Sequence, residues 1–191
     1  MRVISGNYKG KKLNSVKGLK VRPTSDKLKS AIFDVLFSLG VGRSLDGITA
    51  LDVFAGSGAL GIEALSMGAA KCHFIDKDRD SINAIENNLG ALKIEREKYA
   101  ILNCDFRSAI KNLSKNDIRF DLIFIDPPYK NNLTLEVLEN INIYAIVSSV
   151  VAIVCEHSAK EILPERVKAF KKVTEKFYGD KVLSFYTINS G

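Results

Sequence analysis

The sequence predicts an α/β fold: a doubly wound, mostly parallel seven-stranded sheet closed by an antiparallel C-terminal hairpin, with a small basic N-terminal extension. Three observations predict it. Apolar runs of strand length alternate with segments of helical period, which is the signature of a parallel sheet covered on both faces. The stretch Leu51 to Gly61 (LDVFAGSGALG) passes from a buried strand through glycines into a helix. The last two strand-like segments, Val167 to Phe177 and Lys181 to Ile188, are joined only across Gly179-Asp180. That leaves no room for a crossover helix, so they must pair antiparallel at an edge.

Taken in order, Arg2 to Leu13 reads as a short hairpin turning at Ser5-Gly6-Asn7, and the stretch to Arg22 is basic and irregular. Pro23 and Thr24 set up a helix start. Leu28, Ala31, Ile32, Val35, Leu36 and Leu39 then recur on one helical face, ended by Gly40. After the glycine unit come a strand over Cys72 to Asp76, a helix from Asp78 to Leu92, a strand over Tyr99 to Asn103 and a helix over Phe106 to Leu113. The strand Phe120 to Ile125, the helix Leu133 to Ile143 and the strand Val150 to Glu156 follow. A boundary near residues 40 to 47 divides an N-terminal hairpin and helix (1–40) from the sheet domain (41–191).

Composition bounds the function. The 191 residues allow one sizeable core. The longest apolar run, Tyr144 to Cys155, is too short to span a bilayer, and the basic N-terminus lacks the apolar stretch of a secretory signal. The expectation is a cytoplasmic protein without a membrane partner. Cys72, Cys104 and Cys155 have no C-x-x-C spacing and are expected as buried free thiols, and His73 and His157 have no metal-binding partner in sequence; no metal is expected. Residues 1–30 hold nine basic residues and one acid, a net of +8 against +6 for the whole chain, so the remainder carries −2. A positive field so localised points to nucleic acid or an anionic surface, or to no more than a solvated extension.

Gly56, Gly58 and Gly61 satisfy G-x-G-x-x-G, and Asp76 follows at about the distance of a ribose-binding acid, so a dinucleotide must be considered. Asp52 argues against it, because a carboxylate just before the loop repels a pyrophosphate. S-adenosylmethionine carries a sulfonium and an ammonium and no phosphate, and an acid there suits it. The alternative is that Asp52 only caps a helix. Ligands of open parallel sheets sit beyond the strands' carboxyl ends, and Asp52, Asp76, Asp105 and Asp126 all fall there. Four such acids on four strands are hard to ascribe to capping. Chemistry then suggests Asp52 toward the methionine end, Asp76 on the ribose hydroxyls and Asp105 on the adenine amine, with Phe54, Phe106 and Ile75 available to sandwich the ring.

Asp126-Pro127-Pro128-Tyr129 is the most specific signal. Prolines cannot donate, so local carbonyls remain as acceptors. Asp126 and the Pro127 carbonyl can take both N–H groups of an exocyclic amine, drawing a conjugated nitrogen toward tetrahedral geometry, while Tyr129 stacks on the base. The parallel sheet with its antiparallel hairpin matches the Rossmann-like class I methyltransferase sheet.

The segments RVISGNYKGKKL, RPTSDKLKSAIFDVL, LDVFAGSGALGIEALSMGA, FIDKDRDSI, NCDF, FDLIFIDPPYK and YGDKVLSFY together resemble the bacterial small-subunit ribosomal RNA guanine-N2 methyltransferases of the RsmD type. The resemblance runs in order along nearly the whole chain. It implies methylation of a guanine N2 in 16S rRNA by S-adenosylmethionine, on an assembled small subunit, by a monomer. It also implies that Asp52, Gly56 and Gly58 line the methionine end, Asp76 the ribose and Asp105 the adenine. Asp126 to Tyr129 would hold the guanine, Arg22, Pro23, Thr24 and Asp26 would close over the donor, and Lys9, Lys11 and Lys12 would meet phosphates, with Arg22 also on the RNA side. Asp76 departs from the glutamate of many members. Two other readings stay open: an amino-methyltransferase acting on adenine N6 or cytosine N4 of DNA, and a non-catalytic RNA-binding assembly factor.

Overall fold

The structure, a computed structural model, describes residues 1–16, 26–41, 44–128 and 133–188. Helices α1 (Asp26–Ser38), α2 (Ala59–Ser66), α3 (Arg79–Ala91), α4 (Phe106–Lys115) and α5 (Leu133–Ile143) alternate with strands β1 (Thr49–Val53), β2 (Lys71–Asp76), β3 (Tyr99–Asn103), β4 (Phe120–Ile125) and β5 (Val147–Ser158). Strands β6 (Arg166–Val167), β7 (Phe170–Tyr178) and β8 (Lys181–Ile188) complete the sheet. The strand order is β3-β2-β1-β4-β5-β8-β7-β6. The first five in that order pair parallel, and β5-β8-β7-β6 pair antiparallel.

The seven expected strands are present, and the difference is an eighth at the edge. The segment read as one strand from Val167 breaks at Lys168, whose φ is +53°, and the two-residue β6 folds back so that Val167 faces Phe170. The N-terminal hairpin is also looser than expected. Its ladder reduces to one bridge, Arg2 to Lys12, around a 3-10 turn at Gly6–Tyr8.

Alternation along the strands divides the core in two. Ala50, Phe74, Leu122 and Phe124 meet α1, α2 and α3 through Ile32, Ile62 and Ile85. Leu51, Val53, Ile75, Ile123 and Ile125 meet α4 and α5 through Ile110 and Leu138. Val3, Leu13, Leu28, Ile32 and Leu36 belong to the first of these cores, so the N-terminal segment and α1 pack against the sheet. Of the three thiols, Cys72 and Cys155 are buried as expected and Cys104 is half-buried. Among the described residues no helix is long and apolar enough to cross a membrane.

Candidate active site

The register of β1 decides where the acids go. Val53 is level with Ile75 of β2 on one side and with Ile125 of β4 on the other. Asp76 and Asp126 therefore emerge one residue later, flanking Phe54 at the carboxyl rim. Asn103 is level with Asp76, and Asp105 leaves the rim two residues further on. Asp52 lies one residue below the rim, on the face that carries Ala50, and so looks toward α2.

Asp52 is 2% exposed, and its Oδ2 accepts the N–H of Gly61 at 2.9 Å. Gly61 is the third residue of α2, so this carboxylate satisfies a helix-terminal donor from a neighbouring strand. Burial raises its proton affinity well above the ordinary carboxylate value; the Gly61 bond opposes that, and the charges of Asp126 and Asp76 add to it. The Asp52 carboxylate is thus held where a negative charge is expensive, and a cation close by would relieve that cost.

The turn from β1 to α2 is built on left-handed backbone. Phe54, Gly56 and Gly58 have φ of +63°, +55° and +77°. For the glycines this costs nothing, whereas at Phe54 it is a strained conformation of order 1 kcal/mol or more. The turn is closed by the Gly58 N–H donating to the Ala55 carbonyl at 2.7 Å. The N–H of Gly56 donates to Asp76 Oδ2 at 2.8 Å, and the Asp78 N–H donates to Asp76 Oδ1 at 2.9 Å. The amide a pyrophosphate would require at this turn is already given to a carboxylate.

Two of the four acids satisfy helix-terminal N–H groups, Asp52 at α2 and Asp105 at α4. Asp105 is the N-cap of α4, accepting from the Arg107 N–H at 3.0 Å. The Arg107 guanidinium also donates from Nη1 to both Asp105 oxygens at 3.2 Å, and reaches Glu136 of α5 with Nε–Oε1 at 2.5 Å and Nη2–Oε2 at 2.6 Å. An adenine amine at Asp105 would have to share those oxygens with Arg107. Of the apolar sandwich, Ile75 and Phe106 are buried at 1% and 3%. Phe54 is half-buried, its ring 5.4 Å from that of Phe106, and is the face left for a ligand.

At the end of β4, Asp126 is half-buried, Pro127 buried and Pro128 exposed. Tyr129 lies outside the described residues, as do Arg22, Pro23 and Thr24. Lys9, Lys11 and Lys12 are exposed on the N-terminal segment. Lys29, counted with them in the basic block, is fully buried and pairs with Glu63 of α2 at 3.1 Å, so it adds nothing to the surface field. Sequence reasoning also passed over Glu63 and Asn88, two buried polar side chains that organise the loop's surroundings. Their signal was available: Glu63 is an acid inside the apolar octapeptide ALGIEALS, and Asn88 stands beside the Ile85 and Leu89 stripe of α3.

No group of described residues is arranged to hold a metal ion. A cavity of about 930 Å³ lies at the other end of the sheet, between Asp34 of α1, Asp46 before β1 and Ser66 to Gly68 at the end of α2, and includes none of the rim residues.

Comparison with known proteins identifies the family. Residues 1–187 match the family described as "Conserved hypothetical protein 95". A Bacillus subtilis (strain 168) relative named "Putative rRNA methyltransferase YlbH" is 38% identical over 186 residues, covering 97% of this chain and 98% of that one. The Haemophilus influenzae protein named "Ribosomal RNA small subunit methyltransferase D" is 36% identical over 134 residues, 70% of this chain and 66% of its own length. The solved structure of "Putative methyltransferase yhhF from Escherichia coli" superposes with a TM-score of 0.84 at 28% identity, over 100% of this chain and 99% of that one. A Rossmann-like sheet ending in an antiparallel hairpin, a carboxylate-lined glycine turn and full-length kinship converge: the chain belongs to the "Conserved hypothetical protein 95" family, the RsmD type of rRNA methyltransferase.

Proposed function

We propose that this protein transfers the methyl group of S-adenosylmethionine to the exocyclic N2 of a guanine in 16S rRNA, within the small ribosomal subunit of the cytoplasm. The observation that carries the reading is the rim itself. Asp52, Asp76 and Asp126 gather around one glycine turn whose first N–H is committed to Asp76, which favours a cationic ligand over a phosphate. The names of the relatives support an rRNA substrate.

The donor supplies an electrophilic methyl on a sulfonium. Asp52, beneath the turn, balances positive charge. Asp76 accepts from the ribose hydroxyls, Phe54 presents an apolar face to the adenine ring, and Asp105 takes the adenine amine in competition with Arg107. Asp126 and the Pro127 carbonyl accept the two N2 protons of the guanine, and Tyr129 stacks on the flipped base. As the nitrogen forms its bond to carbon, the carbon–sulfur bond breaks and the amine becomes cationic. Asp126 stabilises that charge and takes a proton from it, leaving the methylated amine and S-adenosylhomocysteine. The exposed Lys9, Lys11 and Lys12, with Arg22, meet RNA phosphates.

Transfer of labelled methyl from S-adenosylmethionine to small subunits that lack the modification tests this directly. Asp126→Ala should slow single-turnover transfer by about two to three orders of magnitude while donor affinity persists. Unchanged turnover in that variant overturns the role of Asp126. Nucleoside analysis that finds the label on adenine or cytosine overturns the choice of N2. Calorimetry with no uptake of S-adenosylmethionine leaves an assembly factor as the better reading.

A further inference from the structure

The glycine turn and the basic N-terminal segment, which the proposed function assigns to donor and RNA respectively, are joined through one buried side chain. Asn88 of α3 is 1% exposed. Its Oδ1 accepts the backbone N–H of Asn14 at 2.7 Å. Its Nδ2 donates to the Asn14 carbonyl at 3.0 Å and to the Ser57 carbonyl at 2.9 Å. Both amide hydrogens are therefore spent, one on the segment bearing Lys9, Lys11 and Lys12, the other on the peptide between Gly56 and Gly58.

The rest of that segment is docked on α2, the helix that the same turn opens. Glu63 accepts from the N–H groups of Ile4 at 3.0 Å and Ser5 at 2.7 Å. Ser66 Oγ accepts from the Tyr8 N–H at 2.9 Å and donates to the Ser5 carbonyl at 2.5 Å. A Cβ at Gly6 would lie 1.8 Å from the Ser66 carbonyl oxygen, so the backbones touch there. The segment cannot shift along α2 without disturbing these bonds, and Asn88 relays any shift at Asn14 to Ser57.

We propose that Asn88 is a positioning residue that couples RNA binding on the N-terminal segment to donor binding at the glycine turn. Restraint of the segment by phosphates at Lys9, Lys11 and Lys12 holds Asn14, Asn88 keeps the Ser57 carbonyl in place, and the turn is presented with less ordering left for the donor to impose. By linkage the effect is reciprocal.

The inference rests on the functional reading above, and its test separates the two. Calorimetry measures the affinity of S-adenosylhomocysteine, which binds without reacting, in the absence and presence of saturating 16S rRNA. Hydrogen exchange follows the amides of residues 3–14 and 56–58 in the free protein. The native protein should bind S-adenosylhomocysteine about five-fold or more tightly with RNA present. Asn88→Ala should bring that ratio to about one and speed exchange in both segments. Simple loss of stability would weaken both affinities without abolishing their ratio. Asn14→Pro, on the exposed segment, deletes the N–H that Asn88 accepts and leaves the core intact, so it should abolish the ratio too. A ratio of one in native protein that binds both ligands, or a ratio that survives both substitutions, overturns the coupling. Native protein that takes up no S-adenosylhomocysteine overturns the methyltransferase reading instead, and the exchange data then decide whether Asn88 ties the two segments.

Discussion

At the scale of single residues, Asp52 carries its carboxyl where ionisation is costly. Burial raises its proton affinity, so ionising it costs the folded protein more than it costs the unfolded chain. Between the ordinary carboxylate value and the raised folded one, the folded state binds more protons, and stability falls as pH rises through that interval. Asp52→Asn retains an oxygen for the Gly61 N–H and removes the buried charge. It should stabilise the protein near pH 7 by about 0.5–2 kcal/mol. In thermal melts from pH 4 to pH 8, the gap between variant and native protein should open as pH rises. If Asp52 balances the charge of S-adenosylmethionine, affinity for that donor should fall by about tenfold, equivalent to about 1.4 kcal/mol.

At the scale of elements, α2 is held by one buried ion pair and the bonds around it. Lys29 of α1 donates to Glu63 and to the Arg2 carbonyl, and Glu63 also accepts from Ile4 and Ser5. Both charged side chains are fully buried. Glu63→Ala strands the Lys29 ammonium in an apolar core, a loss of about 3–5 kcal/mol. At about 2–4 °C per kcal/mol for a chain of this size, thermal denaturation should begin roughly 10 °C lower. The paired change Glu63→Gln with Lys29→Met should recover much of that loss, since it removes both charges together. The elements themselves were legible in the sequence. β3, β4 and α5 fall on the bounds their apolar patterns predict, because continuous runs and clean period-3.6 stripes depend only on local order. The N-terminal hairpin and the start of β7 were read less well. The path at the N-terminus is set by Glu63 and Ser66, some sixty residues away in sequence, and β7 starts late because of a left-handed turn at Lys168.

At the scale of the molecule, charge is sorted between surface and core. Exposed Lys9, Lys11 and Lys12 are available to phosphates, whereas buried Lys29 is not. If these lysines meet single-stranded rRNA, neutralising all three should flatten the log–log salt dependence of binding by about 2, at roughly 0.7 per phosphate. Lys29→Met should lower the melting temperature and leave that slope where it was. Filter binding of 16S rRNA between low and physiological salt distinguishes the two.

The order of strands and helices, the acids at the strands' ends and the proline-stiffened end of β4 could all be read from the sequence, because periodicity and turn chemistry are local properties. Tertiary structure decided which protein groups those acids meet. Asp52 and Asp105 satisfy helix-terminal N–H groups, Asp76 holds the first glycine amide, and Arg107 occupies the face of Asp105. It also decided which lysine faces water and which polar side chain bridges the glycine turn and the basic segment. Contacts such as Asn88 to Asn14, 74 residues apart, exist only once the sheet has fixed its register, and no pattern along the chain encodes that distance.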